Sequence, residues 1–355
     1  MKQKDFLIVG QGLAGSILAY YLIQLGLSVT IVDNNHQTSA SRVAAGLIDF
    51  VSGKRLTRSW NSDLLIPFCK NFYKQVQKET NSTFLFELPS LRFFSSPDQT
   101  KFYHKRLKDS RFDNYLEKEG LPDWCYNFFN TPNSGCKINQ AAVLNTPSFL
   151  DSLKTFFIKH KAYFCENFLF DDLTLSNNGI NYKDTLYSKV IFCEGYKVKD
   201  NPFFKDIDFR FAKGDVFTLT IDNLANDTIY NNDKWLTPFN KEFRFGASYE
   251  WKTINCIPDE KGKQELNMHL QNWIKTPYQI TNHQAGVRTA VKDIKPVIGI
   301  HPNHHSIGIF NGFSSKGVMI IPYYAEQFAR FLTGLSSNLD KETSLKRLHE
   351  SCCIK

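Results

Sequence analysis

The chain has 355 residues, 42% of them hydrophobic and 14% aromatic, including 31 phenylalanines, which is enough for one large two-lobed unit or two domains with a sizeable core. Lys and Arg outnumber Asp and Glu by 43 to 35, a weak pointer toward acidic small molecules or a polyanion as partner. No segment reaches the roughly 18 uninterrupted apolar residues that a membrane helix needs. Met1-Lys2-Gln3-Lys4 before an apolar run imitates a secretory signal, but glycines break that run and no small-residue cleavage site follows.

Phe6-Leu7-Ile8-Val9 reads as a strand and leads directly into Gly10-Gln11-Gly12-Leu13-Ala14-Gly15. In such a loop the first glycine allows the tight turn, the second lets a phosphate approach the backbone, and the third lets the helix pack on the strand. Residues 15–26 read as that helix, with Ile17, Leu18, Tyr21, Leu22 and Leu25 at helical spacing and Gly26 as its stop. A second strand, Ser28 to Val32, ends in Asp33, an acid roughly 20 residues past the glycines, where a ribose hydroxyl is bound in dinucleotide sites. Strand, glycine turn, helix and acid together predict a dinucleotide site with its pyrophosphate on the helix N-terminus.

Further along, 61–80 reads as a helix, 84–88 and 91–94 as strands, and 98–120 as a charged helix. The basic run Lys101 to Lys108 reads as a solvated face of that helix and less readily as a nucleic-acid surface. A helix follows Asn145-Thr146-Pro147, with Phe149, Leu150, Leu153 and Phe156 on one side. Residues 162–176 read as strands, and Lys189 to Gly195 as a buried strand closing in a glycine turn. Residues 208–255 are rich in strands, among them Val216–Ile221 and Phe243–Tyr249, and 260–275 form a polar helix. Ser306–Phe310 is a final strand before Asn311-Gly312-Phe313-Ser314-Ser315-Lys316-Gly317 and a helix to about Leu332. This second glycine loop matches the first in its setting, and a helix start with a lysine beside it holds developing negative charge.

The eight cysteines, at 69, 125, 136, 165, 193, 256, 352 and 353, include no C-x-x-C pair, so zinc and dithiol redox chemistry fall away. Cys165 and Cys193 read as buried small hydrophobes, and the pattern fits a reducing cytoplasm. Cys352-Cys353-Ile354-Lys355 imitates a prenylation box, but Lys is a poor final residue and a frayed tail is the better reading.

Four segments in chain order resemble the D-amino-acid-oxidase-like (glycine oxidase-like) family of FAD-dependent oxidoreductases. They are the first glycine loop with Asp33; Ser41-Arg42-Val43-Ala44-Ala45-Gly46-Leu47; Gly286-Val287-Arg288-Thr289 with Lys292-Asp293 and Pro296-Val297-Ile298-Gly299; and Gly312 to Gly317 with its helix. The resemblance implies an α/β fold with an α+β substrate lobe: a Rossmann-type FAD domain (1–62, 141–205 and 286–355) interleaved with a mixed-sheet substrate domain (63–140 and 206–285). It implies that Gly10, Gly12, Leu13, Ala14 and Gly15 meet the pyrophosphate and Asp33 the adenosine ribose. It places Ser41, Arg42, Ala44, Ala45, Gly46 and Leu47 along the phosphates and the flavin ring, and Phe168 or Leu169 on a strand beside adenine. Glu194 and Gly195 fall at a turn by the cofactor, and Gly312, Ser314, Ser315, Lys316, Gly317 and Val318 at the O2 edge of the flavin.

By the same resemblance Arg288 clamps a substrate carboxylate, because its planar fork meets two oxygens at once. Tyr249 and Trp235 fall on substrate-domain strands at pocket-lining positions. Three positions depart from the family pattern: Thr289 stands where proline is usual, Cys193-Glu194-Gly195 replaces an Ala-Thr-Gly-like turn, and Asp33 stands where Glu is frequent. The activity implied is oxidation of the C–N bond of an amino acid or N-substituted glycine-like amine by hydride transfer to flavin N5, with O2 or another acceptor taking the electrons. Two alternatives stand beside it: an oxidase acting on a glycine-like modified base of tRNA, and a flavin-holding subunit without its own turnover.

Overall fold

A computed structural model describes residues 2–118, 120–131 and 133–350, with side chains to Leu348; the 352–355 box lies outside the described residues. Five parallel strands form the first sheet in the order Tyr163–Cys165, Val29–Asp33, Lys2–Val9, Thr185–Phe192 and Ile307–Asn311. Val297–Ile300 pairs antiparallel with the last of these, and the hairpin Leu173–Ser176/Gly179–Tyr182 continues from the first half of Thr185–Phe192. Leu7, Ile8, Val9, Ile31 and Ile191 are all buried, as a parallel sheet covered on both faces requires. Helices Leu13–Gln24, Ser62–Thr80, Thr146–Lys159 and Gly317–Leu332 cover one face in a core containing Ile17, Phe72, Phe149 and Phe328. Starting from Lys2–Val9 the chain first builds outward on one side and later on the other. The strand order therefore reverses between Val9 and Phe192, which opens a crevice at their carboxyl ends.

The second sheet is mixed, with seven strands in the order Tyr278–Ala290, Arg210–Ile221, Glu242–Gly246, Lys234–Phe239, Ile229–Asn232, Ser90–Phe93 and Gly135–Ile138. Strand alternation sends Phe217, Leu219 and Phe245 to one face, where they pack with Leu266, Leu270 and Trp273 of helix Glu260–Trp273. It sends Gly214, Val216 and Trp235 to the other face, toward the first sheet.

Asp215 sits between Gly214 and Val216 on the helix side and is fully buried. It accepts from Ser248 Oγ at 3.0 Å, from Asp259 N at 3.2 Å, and is 2.9 Å from His283 Nε2. Asp259 in turn caps helix Glu260–Trp273 by accepting from Gly262 N at 2.8 Å. One carboxylate thus ties two strands, a loop and a helix start.

Several expectations are corrected. The charged helix expected over 98–120 covers only Pro97–Arg106, followed by a 3-10 turn at Ser110–Phe112. Lys101 pairs with Asp98, Arg111 in the turn beyond pairs with Asp109, and Arg106 donates to the carbonyls of Arg55 and Leu56. The strand expected over Phe243–Tyr249 ends at Gly246, so Tyr249 lies in the loop beyond it. Cys165 is exposed on an edge strand, whereas Cys193 is buried as expected. The helix Ser62–Thr80, expected with the second lobe, buries Leu65, Cys69, Phe72 and Tyr73 in the first core. The cut expected at 286 falls inside strand Tyr278–Ala290. Asp215→Ala should destabilise the protein by about 3 kcal/mol, because it leaves buried donors unpartnered; a fall in thermal midpoint of several degrees relative to an exposed Asp63→Ala control checks this.

Candidate active site

A cleft of about 640 Å³ runs from the crevice between Val9 and Phe192 to the open face of the second sheet. Its first end is built by the glycine loop. Gly10 takes φ +101°, and a Cβ there would lie 2.8 Å from the Cys193 carbonyl. A Cβ on Gly15 would lie 1.9 Å from the Gly10 carbonyl, so only glycine lets this helix close on the turn. The helix Leu13–Gln24 has glycine at its N-cap and no acid in its first turn; its first N–H, Leu13 N, donates to Ser41 Oγ at 3.0 Å. A helix start left in this state is an anion site. Asp33, at the end of its strand, accepts from Gln11 N at 2.9 Å and Asn35 N at 2.7 Å. Burial raises its pKa, but His36 and these backbone donors outweigh that and hold it below the usual carboxylate range.

Across the crevice stand Cys193, Glu194 and Gly195, with Gly195 at φ +57°. Burial pushes the Glu194 carboxyl up to about 7, only partly offset by the 2.7 Å bond from Asn201 Nδ2. Of the segment 41–47, Ser41, Ala44, Ala45, Gly46 and Leu47 line the cleft. Arg42 does not: its guanidinium turns to Asp151 at 2.6 Å. Arg244, buried in the second lobe, donates to the Ala44 carbonyl at 2.7 Å and so pins this segment from below.

The second glycine loop contributes Ser314, Ser315, Lys316, Gly317 and Val318 to the lining, while Gly312 turns the chain behind them at φ +80°. Its helix begins without a side-chain cap or an acid in the first turn. Burial pulls the Lys316 ammonium down, against the opposing pull of Asp49. Ser314 N donates to the Thr289 carbonyl at 2.9 Å, which fixes this loop to the strand that carries Arg288.

Arg288 crosses the floor of the second sheet. A Cβ on Gly214 would lie 2.5 Å from its Nη2, so the glycine makes room for the guanidinium. Its Cζ lies 4.6 Å from the centre of the Tyr249 ring, and its buried Nη1 has no hydrogen-bond partner among the described residues. Trp235 stands on the same floor. Phe168 also lines the cleft, but from a loop after strand Tyr163–Cys165 rather than from a strand, and Leu169 is exposed outside it.

Sequence reasoning missed Asp49, Arg92 and Asn231, which line the far end. Arg92 stands between Leu91 and Phe93 in the buried strand Ser90–Phe93, and that charge among apolar neighbours was the available signal. Among the described residues, no group of three or more His, Cys, Asp and Glu side chains is placed to hold a metal ion, and no helix is long and apolar enough to cross a membrane.

Because the Glu194 pKa is raised on folding, the protonated form stabilises the protein below the unfolded value and that stability is lost as pH rises through about 7. Between pH 5 and 8 the wild-type thermal midpoint should therefore fall relative to Glu194→Gln, by the equivalent of about 2 kcal/mol.

The model of the FAD dependent oxidoreductase family matches residues 5–331. Glycine oxidase from Geobacillus kaustophilus superposes with a TM-score of 0.82 at 14% identity, over 98% of this chain and 99% of that one. Iminodiacetate oxidase from Chelativorans sp. BNC1 gives 0.76 at 17% identity, over 96% and 99%. L-Proline dehydrogenase from P. horikoshii gives 0.73 at 15%, over 99% of each chain. These likenesses establish the fold. With the family model spanning both sheets and the glycine cradle in place, the chain belongs to the FAD dependent oxidoreductase family, and FAD is its cofactor.

Proposed function

We propose that this oxidoreductase oxidises the C–N bond of an amino acid or an N-substituted glycine-like amine. The observation that carries the reading is Arg288: a guanidinium on the cleft floor with a buried Nη1 that has no hydrogen-bond partner, and no paired carboxylate, among the described residues. A buried cationic fork left open in this way is matched by a carboxylate from outside the chain.

Bound FAD supplies the two-electron acceptor for a hydride from the substrate Cα. Gly10, Gly12, Leu13 and Ala14 present the helix start to its pyrophosphate, with Gly15 shaping the turn behind them. Asp33 receives the ribose hydroxyls, and Phe168 flanks the adenine end. Ser41, Ala44, Ala45, Gly46, Leu47, Glu194 and Gly195 line its path, and Ser314 to Val318 meet the ring.

Arg288 holds the substrate carboxylate, with Gly214 behind it and the Tyr249 ring over it. Trp235 walls the same space. Holding the carboxylate orients the reacting carbon, which removes orientational freedom before the reaction begins. The 2.9 Å bond between Ser314 N and the Thr289 carbonyl keeps clamp and second glycine loop at a fixed spacing. Lys316 and the start of helix Gly317–Leu332 stabilise negative charge that develops nearby. A neutral amine needs no strong base, and none is assigned.

Anaerobic mixing with a panel of amino acids and N-methyl amines should bleach the flavin absorbance with at least one of them; retention of full colour with every amine overturns the reading. Arg288→Met should raise KM for carboxylate-bearing amines by roughly 100-fold while FAD content stays at the wild-type level. Gly15→Ala should do the reverse and purify with little FAD, because its Cβ displaces the Gly10 carbonyl.

A further inference from the structure

The cleft also has an arm lined by Ser52, Gly53, Lys54, Arg92, Asn231 and Asp233, residues to which the reading above gives no role. It is walled by the hairpin Val51–Ser52/Thr57–Arg58 and by the tight turn joining Ile229–Asn232 to Lys234–Phe239. Lys54 and Asp233 pair across it at 3.2 Å.

The floor of this arm is set by sheet register. Arg92 lies opposite Asn231, Asn231 opposite Trp235, Trp235 opposite Gly246, and Gly246 opposite Val216. The row thus reads apolar in the middle and polar at the end away from Arg288. Four strand spacings of about 4.8 Å separate Val216 from Arg92, so the polar end is reached only by an extended molecule.

Arg92 is buried, and its Nε has no partner; one Nη donates to the Gly53 carbonyl at 3.0 Å. The buried Oδ1 of its neighbour Asn231 also has no partner. Asp49 and Lys316 line the cleft near Arg92, and no ion pair within 4 Å joins any of these three among the described residues. Asp49 and Asp233 both favour the Arg92 charge from a distance, without an ion pair to it among the described residues.

We propose that Arg92 and Asn231 form a second subsite for an acidic group at the far end of the substrate. Resting on the amine-oxidising reading above, this makes the substrate an N-substituted amino acid whose substituent crosses Trp235 and Val216 and ends in a carboxylate. The Arg92 Nε–H donates to one carboxylate oxygen. The Asn231 amide, whose two ends exchange by a half-turn, donates its NH₂ to the other.

The test compares N-(carboxymethyl)-6-aminohexanoate with N-hexylglycine, which has a similar arm and no distal acid. In the wild-type holoenzyme, kcat/KM for the diacid should exceed that for the monoacid by roughly 30-fold, the value of a charge-assisted hydrogen bond or two. Both Arg92→Met and Asn231→Leu should reduce that ratio at least tenfold at unchanged FAD content. Asn231→Leu leaves the Arg92–Gly53 bond in place and covers the case in which Arg92→Met loosens the hairpin. A second measurement does not depend on turnover: suberate and octanoate are titrated into oxidised holoenzyme and read by the flavin spectrum. Suberate should bind at least tenfold tighter, and lose that margin in both variants. Equal binding of the two acids, or a margin that survives both substitutions, overturns the subsite. Retained suberate preference with no amine oxidised overturns only the amine reading.

Discussion

The contact between the Gly15 Cα and the Gly10 carbonyl governs the arrangement of everything around it. It sits where the strand order reverses, between Val9 and Phe192. Because no side chain fits there, the helix Leu13–Gln24 approaches closely enough to aim its N-terminal end along the crevice. The same crowding continues on the other side, where Gly10 faces the Cys193 carbonyl. The open approach to this helix start results from the absence of side chains on the glycines, while Asp33 and Ser41 hold the Gln11 and Leu13 N–H groups in place.

The second lobe is joined to the glycine cradle by bonds to the very segments that line it. Arg244 reaches the Ala44 carbonyl, and the strand bearing Arg288 accepts from Ser314 through Thr289. The floor is therefore positioned relative to the Ser41–Leu47 segment by a buried side chain and relative to the second glycine loop by a main-chain bond. Arg288 needs this support. Its guanidinium lies on a glycine with an aromatic ring above it, and neither partner offsets its charge.

Most of the first lobe was legible because its signals are local: a buried strand, glycines at fixed spacing, and an acid at the end of the next strand. Arg288 and the second glycine loop were legible by resemblance. What was lost depended on contacts between distant parts. Arg42 looked equivalent to its neighbours in Ser41–Leu47, and only the fold brings Asp151 to it. Tyr278–Ala290 is a 13-residue strand whose first half carries Gln279, Thr281, Asn282 and His283, so its apolar period is hidden by one wet face. The partnership of Arg92 with Asn231 arises from a parallel pairing of strands nearly 140 positions apart, which no window on the sequence contains.

The strand Arg210–Ile221 serves two purposes at alternate residues. Gly214 and Val216 form the floor beside Arg288, while Asp215 between them anchors Ser248, His283 and the start of a helix on the far side. The two faces share one backbone. A lesion at His283 would therefore register in a kinetic survey as a poorly held substrate, although that ring never meets one. Sorting inherited or engineered variants of this enzyme by their distance from the cleft would misfile it. The relevant coordinate is the strand a residue braces, and on that measure the back of this sheet belongs to the active site.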